Sequence, residues 1–245
     1  MMDVISPEKA IALGHPSYVW RAGQERRLNM IRAHVPLAGA RLLDVGCGLG
    51  MYVRRFRAFS EDVHGVDVDA ERVAEASRNL PNIRQAPAEA LPYEDDAFDM
   101  VLLHEVLEHV DDDRAAVREA WRVLAPGGRM VIFAPNRWYP FETHGVYWRG
   151  RYRFGNIALV NYLPDGLRKR LCPHVRAYTR AGLRRLFEGL GGAFVSERRI
   201  YAGYDNIVAR SPALGRALRG VSYALESTPL GLFGLSHFVV FEKRA

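Results

Sequence analysis

Glu105, Glu108 and His109 stand at i, i+3 and i+4 in the stretch His104-Glu105-Val106-Leu107-Glu108-His109-Val110. On a helix that spacing puts two carboxylates and an imidazole on one face. Such a set can hold a divalent cation such as Mg2+, which lowers the pKa of a bound hydroxyl. The same residues also read as a structural acid pair and a packed histidine. An imidazole near a reacting hydroxyl can also act as general base. His109 is the first candidate for that work, with Glu105, His144 and His174 beside it.

A second group of residues is arranged for binding. In Arg41-Leu42-Leu43-Asp44-Val45-Gly46-Cys47-Gly48-Leu49-Gly50 an apolar run holds an acid and gives way to three glycines at alternate positions. The run reads as a buried strand, and the glycines as a loop of unusual backbone angles. Met51 to Phe59, apolar at 51, 53, 56 and 59, suits a helix. Strand, glycine loop and helix together bind nucleotide-like cofactors at the carboxyl end of a sheet. The spacing is G-x-G-x-G, not the G-x-G-x-x-G that holds a pyrophosphate. With Asp44 two residues ahead of Gly46, the loop suits a ligand carrying an ammonium and a carboxylate. Asp67 closes the next strand, 17 residues after Gly50, where a carboxylate can accept ribose hydroxyls. Asp69 is the other acid there and reads as a helix-start charge.

The string Leu42 to Gly50 resembles motif I of the class I S-adenosylmethionine-dependent methyltransferases. The resemblance covers about residues 40–135 and, more loosely, 178–200 and 236–244. It implies S-adenosyl-L-methionine as cofactor, with Asp44 toward its ammonium and Gly46, Cys47, Gly48 and Gly50 toward its carboxylate. Asp67 and Val68 then fall at the ribose, Ala88 and Glu89 in the adenine stretch, and His104 at the methionine moiety. Pro87 stands where the family commonly has an aspartate, which removes one adenine contact. Asp99 reads as structural. The string Glu105 to His109 resembles that of the ubiquinone-biosynthesis O-methyltransferases. It is also similar to the metal-binding stretch of small-RNA 2′-O-methyltransferases.

Further elements must position these residues. Tyr18 to Val35 reads as an amphipathic helix, after an irregular arm over 1–17. Strands are expected at about 40–45, 62–68, 82–86, 97–103, 128–134, 193–201 and 236–244, with helices at 70–80, 113–124, 179–188 and 212–225. Alternation at this spacing implies a doubly wound α/β sheet. The resemblance implies a Rossmann-like sheet of seven strands in the order 3-2-1-4-5-7-6, the last antiparallel. Residues 1–245 then form a single methyltransferase domain. Its additions are an N-terminal arm and helix over 1–36, an insertion after strand five over 136–176, and another between strands six and seven over 205–235.

Residues 1–136 hold 16 Lys/Arg and 21 Asp/Glu, and residues 137–245 hold 18 and 7, so the second part carries the positive charge. Its arginines alternate with aromatics: Trp148, Tyr152 and Phe154 with Arg149, Arg151 and Arg153. A substrate lid is the first reading of 136–176 and peripheral contact with an anionic membrane the second. Nucleic acid ranks third, since no RNA-binding module is appended. A small-molecule acceptor that is acidic or lipid-linked suits the charge, while a solvated basic surface explains it equally well. Two cysteines, Cys47 and Cys172, make no disulfide framework. With no apolar run long enough for a membrane span and no signal-like start, a cytoplasmic location is the expectation. The function expected is methyl transfer to a small molecule, at oxygen. RNA 2′-O-methylation is the alternative, as is a non-catalytic regulatory protein that binds S-adenosylmethionine.

Overall fold

The computed structural model describes residues 19–244; the arm expected over 1–17 lies outside them. In chain order the first half gives α1 (Ala22–Arg32), β1 (Leu42–Val45), α2 (Met51–Phe56), β2 (Val63–Asp67), α3 (Ala70–Ser77) and β3 (Ile83–Gln85). Then follow β4 (Phe98–His104), α4 (Asp113–Arg122) and β5 (Leu124–Pro135). Helix α1 is shorter at both ends than the Tyr18–Val35 reading. Strand β5 starts earlier than expected, because Leu124 already pairs with Phe98 before the register shifts and Met100 meets Arg129.

The sheet has the order β3-β2-β1-β4-β5, then β11 (Ser236–Lys243) and β10 (Gly192–Ile200) at the far edge. Strands β1 to β5 are parallel, and β11 runs antiparallel to both β5 and β10. This is the predicted seven-stranded arrangement. Its inner strands are buried on both faces, and successive side chains feed opposite layers. Leu43, Val45, Val101, Leu103 and Ile132 enter one core. Leu42, Met100, Leu102, Val131 and Phe133 enter the other.

Acids and hydroxyls start the helices where the chain leaves a strand. The Asp69 carboxylate accepts from the Glu71 and Arg72 amides to cap α3. Asp112 does the same for α4 from Arg114 and Ala115. Thr179 caps α6 (Arg180–Arg185) through the Gly182 amide. Asp99 is structural, as read: its carboxylate takes the Arg41 amide at 2.8 Å and the Arg41 guanidinium at 2.6 Å, pinning the start of β1.

The two additions leave the sheet at one edge. Pro135 at the end of β5 lies opposite Ser236, and Ser236 lies opposite Ile200 at the end of β10. Residues 136–176 form β6 (Phe141–Glu142) paired with β9 (Ile157–Ala158), and a hairpin of β7 (Val146–Trp148) with β8 (Arg151–Arg153). A 3-10 turn at Val160–Tyr162 and α5 (Asp165–Leu171) complete the segment. It has a small core of its own in Val146, Val160, Cys172 and Val175. Beside that core the buried Arg168 guanidinium donates to Glu142 at 2.6 Å and to the Asn161 side chain at 3.1 Å. Residues 205–235 contribute α7 (Asp205–Arg210), α8 (Pro212–Leu225) and a 3-10 turn at Pro229–Phe233.

Candidate functional site

A cleft of about 430 Å³ opens at the carboxyl edge, between the loop after β1, the segment after β4 and residues 135–161. Three of the four glycine-loop residues expected at a cofactor line it: Gly46, Cys47 and Gly48; Gly50 does not. The glycines have different reasons to be glycine. A Cβ on Gly46 would meet Val106 Cγ2 at 2.4 Å, and one on Gly50 would meet Leu80 Cδ1 at 2.3 Å. Gly48, at φ +55°, would meet nothing within 4 Å, so it presents bare backbone to the opening.

Asp44 lines the same end of the cleft and is 2% exposed. Among the described residues no donor reaches its carboxylate, and burial, with Asp67 nearby, pushes its pKa well above the usual carboxylate value. Asp67 is engaged locally. Its two oxygens accept from the Gly48 amide at 2.8 Å and the Asp69 amide at 2.9 Å. It thereby shapes the glycine loop. Asp67, Val68, Ala88 and Glu89 lie outside this cleft's lining, at or just beyond the carboxyl ends of β2 and β3. Val68 is half exposed and Ala88 is packed into the core. The Glu89 carboxylate accepts from the Asp111 and Asp112 amides, tying the 86–93 stretch to the start of α4.

The middle of the cleft is a charged network. His104, at the end of β4, accepts from the Arg27 guanidinium through Nε2 at 2.8 Å and stacks on Tyr52 with ring centroids 4.8 Å apart. Burial, then the Arg27 cation, hold its pKa down at about 3, so the ring is neutral. Arg27 also donates to Glu105 Oε1 at 3.1 Å and to Ser236 Oγ. Burial opposes the Glu105 charge, but Arg27 and His104 prevail and its pKa falls to about 2. Arg27 has no motif around it. Its only sequence signal is its place among the arginines of an amphipathic helix, which marks it for no particular role.

The expected helical face of Glu105, Glu108 and His109 does not form. Residues 105–112 are a turn-rich connection, and Glu105 itself is left-handed at φ +55°. With that backbone turn the Glu105 carboxylate meets Arg27 at 3.1 Å. The three groups whose ligand atoms do converge, within 4.8 Å of one another, are Glu108, His109 and His144. Of the expected metal set, Glu108 and His109 are brought together, with His144 from the flank of β6 beside them, and Glu105 is not part of that group. Glu108 is 1% exposed, and neither carboxylate oxygen meets a donor among the described residues. Burial, then the neighbouring Glu105 charge, raise its pKa well above the ordinary carboxylate range. His109 is pushed down to about 4 by burial and by His144, and its Nδ1 is also without a partner.

His144 is held firmly. Its Nδ1 sits 3.1 Å from Glu142 Oε1, its amide donates to the same oxygen at 2.9 Å, and its ring lies 5.3 Å from that of His109. Burial works against the Glu142 charge, yet the His144 hydrogen bonds and the Arg168 cation hold its pKa at about 2. Glu142 thus fixes the His144 tautomer with the proton on Nδ1, leaving Nε2 as an acceptor. His174 turns away to the 144 carbonyl and stacks against Tyr147 and Tyr152. Cys172 is buried in the small core and Cys47 beside the loop. Burial raises both thiol pKa values, which makes them poor nucleophiles.

Comparison with known proteins agrees with this architecture. Residues 43–132 match a family model described as a methyltransferase domain. The chain is 38% identical over 137 residues to a ubiquinone biosynthesis O-methyltransferase of Rhodopseudomonas palustris, covering 53% of this chain and 51% of that one. It is 36% identical over 121 residues to the uncharacterized methyltransferase YcgJ of Bacillus subtilis, covering 46% and 47%. It therefore spans about half the length of the curated relatives it matches. Among solved structures, an S-adenosylmethionine-dependent methyltransferase from Mesorhizobium loti superposes with a TM-score of 0.60 at 20% identity, over 88% of this chain and 96% of the other. The YcgJ structure superposes with a TM-score of 0.54 at 22% identity, over 91% and 99%. The glycine loop and the strand order agree with these findings: residues 43–132 are similar to a methyltransferase domain, and the chain shares the fold of the superposed methyltransferase structures.

Proposed function

We propose that the chain transfers a methyl group from S-adenosylmethionine to an oxygen of a small-molecule acceptor. The observation that carries this is the continuity of one cleft. Asp44 and the Gly48 backbone line one end, His104 and Glu105 the middle, and His109 and His144 the other. The chain's own groups fit the cofactor. A buried carboxylate without a donor suits an ammonium, and the space left by the absent Gly48 side chain lets a carboxylate come close to the loop backbone. Asp67, at the end of β2, is placed for a ribose once its bond to the Gly48 amide is shared or exchanged. Ala88, Glu89 and Val68 border the course of the adenosine beyond it. The cofactor supplies a methyl already activated on a sulfonium.

The protein then has to position the acceptor, exclude water and remove a proton. His144 is placed for the last task, with Nδ1 fixed by Glu142 and Nε2 as the acceptor. With the cofactor bound, His144 Nε2 would take the proton of an acceptor O–H, leaving that oxygen as the nucleophile for the methyl that the sulfonium would supply. His109 stays neutral near pH 7 and serves as a neighbouring acceptor, since protonating it beside His144 is unfavourable. Glu105 and Arg27 hold His104 in place at the methionine end. The Glu108, His109 and His144 cluster also fits a divalent cation such as Mg2+, because Glu108 lacks any donor.

Isothermal titration with S-adenosylmethionine and a labelled-methyl screen on small polar, phenolic, glycan, lipid and RNA fractions test the reading. Binding together with transfer to a hydroxylated small molecule supports it. Binding with no transfer to any fraction leaves a regulatory cofactor-binding protein, and transfer to RNA alone replaces the acceptor class. Turnover that survives excess chelator leaves proton removal to His144. Turnover that needs Mg2+ moves that role to a cation on the cluster.

A further inference from the structure

We propose that the face around the cleft mouth, built by residues 138–170, docks on an anionic lipid bilayer. Half of the large apolar side chains that the described residues leave exposed belong to this one segment. Trp148 is 50% exposed, Phe154 64% and Leu159 60%, and Trp138, Tyr162 and Leu167 are exposed with them. No acid occurs between Glu142 and Asp165, while Arg149, Arg151 and Arg153 do. All three are exposed, and none has an acidic partner among the described residues. Lys169 and Arg170 on α5 add two more exposed cations.

The hairpin sets the geometry of this face. Tyr147 and Tyr152 pair across it, and both rings pack on His174. Trp148 pairs with Arg151 on the opposite face, and Arg149 and Gly150 make the turn at φ +50° and +75°. A tight hairpin thus holds an indole and three guanidinium groups outward on a supported base. Trp and Tyr favour the level of lipid headgroups, and each basic side chain near an anionic surface adds to the attraction. The face joins one sign of charge to exposed indole and phenyl groups, the pairing that a headgroup layer over an apolar interior matches. A bilayer of anionic lipid supplies that complement.

The second addition reinforces the same edge. Along α8, Leu214, Leu218 and Val221 recur at i, i+4 and i+7 and are exposed. This helix leaves the sheet between β10 and β11, beside the end of β5. Phe141 and Phe154 belong both to the cleft lining and to the exposed apolar set. The apolar surface is therefore continuous from outside into the cleft. Resting on the proposed methyl transfer, this continuity points to a lipid-linked acceptor that enters from the bilayer without crossing water.

The test is co-sedimentation of the full chain with phosphatidylcholine vesicles, with and without phosphatidylglycerol. Binding is expected only to the anionic vesicles and is expected to weaken as salt is raised. Arg149→Glu, Arg151→Glu and Arg153→Glu together should lower the partition coefficient by on the order of a hundredfold or more. Trp148→Ser should lower it several-fold at unchanged melting temperature and unchanged S-adenosylmethionine affinity. Failure of the wild type to sediment with anionic vesicles, or equal sedimentation of the triple variant, overturns the proposal. So does a dimer in solution that Trp148→Ser dissociates, since the face would then join two copies. Cofactor titration is read separately, so a failed vesicle assay leaves the methyl-transfer reading intact.

Discussion

Replacing Arg27 by Met tests how the middle of the cleft is held. Arg27 is the only cation seen to bond Glu105 among the described residues, at 3.1 Å, and it also donates to His104 and Ser236. It holds the Glu105 pKa at about 2 against burial, from an ordinary value of 4.5. At about 1.4 kcal/mol per pKa unit that depression is worth roughly 3 kcal/mol as an upper bound. The two side chains keep 18% and 26% of their surface, so water screens part of it and about 2 kcal/mol is expected. For a chain of this length that is about 4–8 °C in melting temperature. The sign with pH follows from linkage. Glu105 is depressed in the folded state, so its contribution is complete above the unfolded value of 4.5 and is lost as pH falls toward 2. Thermal unfolding of Arg27→Met and wild type should therefore differ most near neutral pH and converge in acid. Adding Glu105→Gln should recover most of the loss, because Ser236 still donates to the amide oxygen and no lone charge remains buried. A gap that stays constant from neutral to acid pH, or a double variant no better than the single, refutes the account.

The glycine loop separates by position. Gly46→Ala combines left-handed strain with the Val106 clash and should cost about 3 kcal/mol in denaturant unfolding. Gly48→Ala should cost only about 1 kcal/mol, yet abolish measurable S-adenosylmethionine binding, because its methyl enters the opening. Asp44→Asn removes a buried carboxylate that has no donor, so the melting temperature should hold or rise while cofactor affinity falls at least about tenfold. His237, buried and donating through Nε2 to the Tyr178 carbonyl at 2.8 Å, is held at about 4 by burial. Its folded pKa lies below the unfolded 6.5, so its stability contribution is whole above 6.5 and drains away as pH falls to 4. About 3 kcal/mol is at stake, and His237→Gln should flatten that part of the stability profile.

These residues also show which parts of the molecule a sequence reader can reach. The glycine loop is legible because its constraint is local: three backbone angles, one strand and one helix lie within fifteen consecutive residues, 42–56. The sheet order is legible through the methyltransferase resemblance, and the alternation of strand and helix supports the parallel part of it. The chemistry at the far end of the cleft is not local. Arg27 meets His104 and Glu105 across 77 and 78 residues, and neither end of that contact has a pattern to announce it. Glu105, Glu108 and His109 have a spacing that suggests a shared helical face, but that inference depends on the backbone being helical. One residue at φ +55° is enough to break it, redirecting Glu105 to Arg27 and leaving Glu108 and His109 to meet His144.

His144 itself is next but one to Glu142 in the chain. Even so, the pair acquires its meaning only when Arg168 fixes the acid from α5. An acid that anchors a histidine and an acid on the solvated surface look alike in sequence. What distinguishes Glu142 is the buried guanidinium on its second oxygen, which keeps it charged where burial alone would neutralise it. The addition after β5 is thus more than a cover. It builds a core, buries one ion pair in that core and uses the free edge of the acid to aim an imidazole into the cleft. The same sheet with a different addition would keep the glycine-loop end of the cleft intact and lose that imidazole. The substrate is therefore to be sought through residues 136–176 and not through the strands they are attached to.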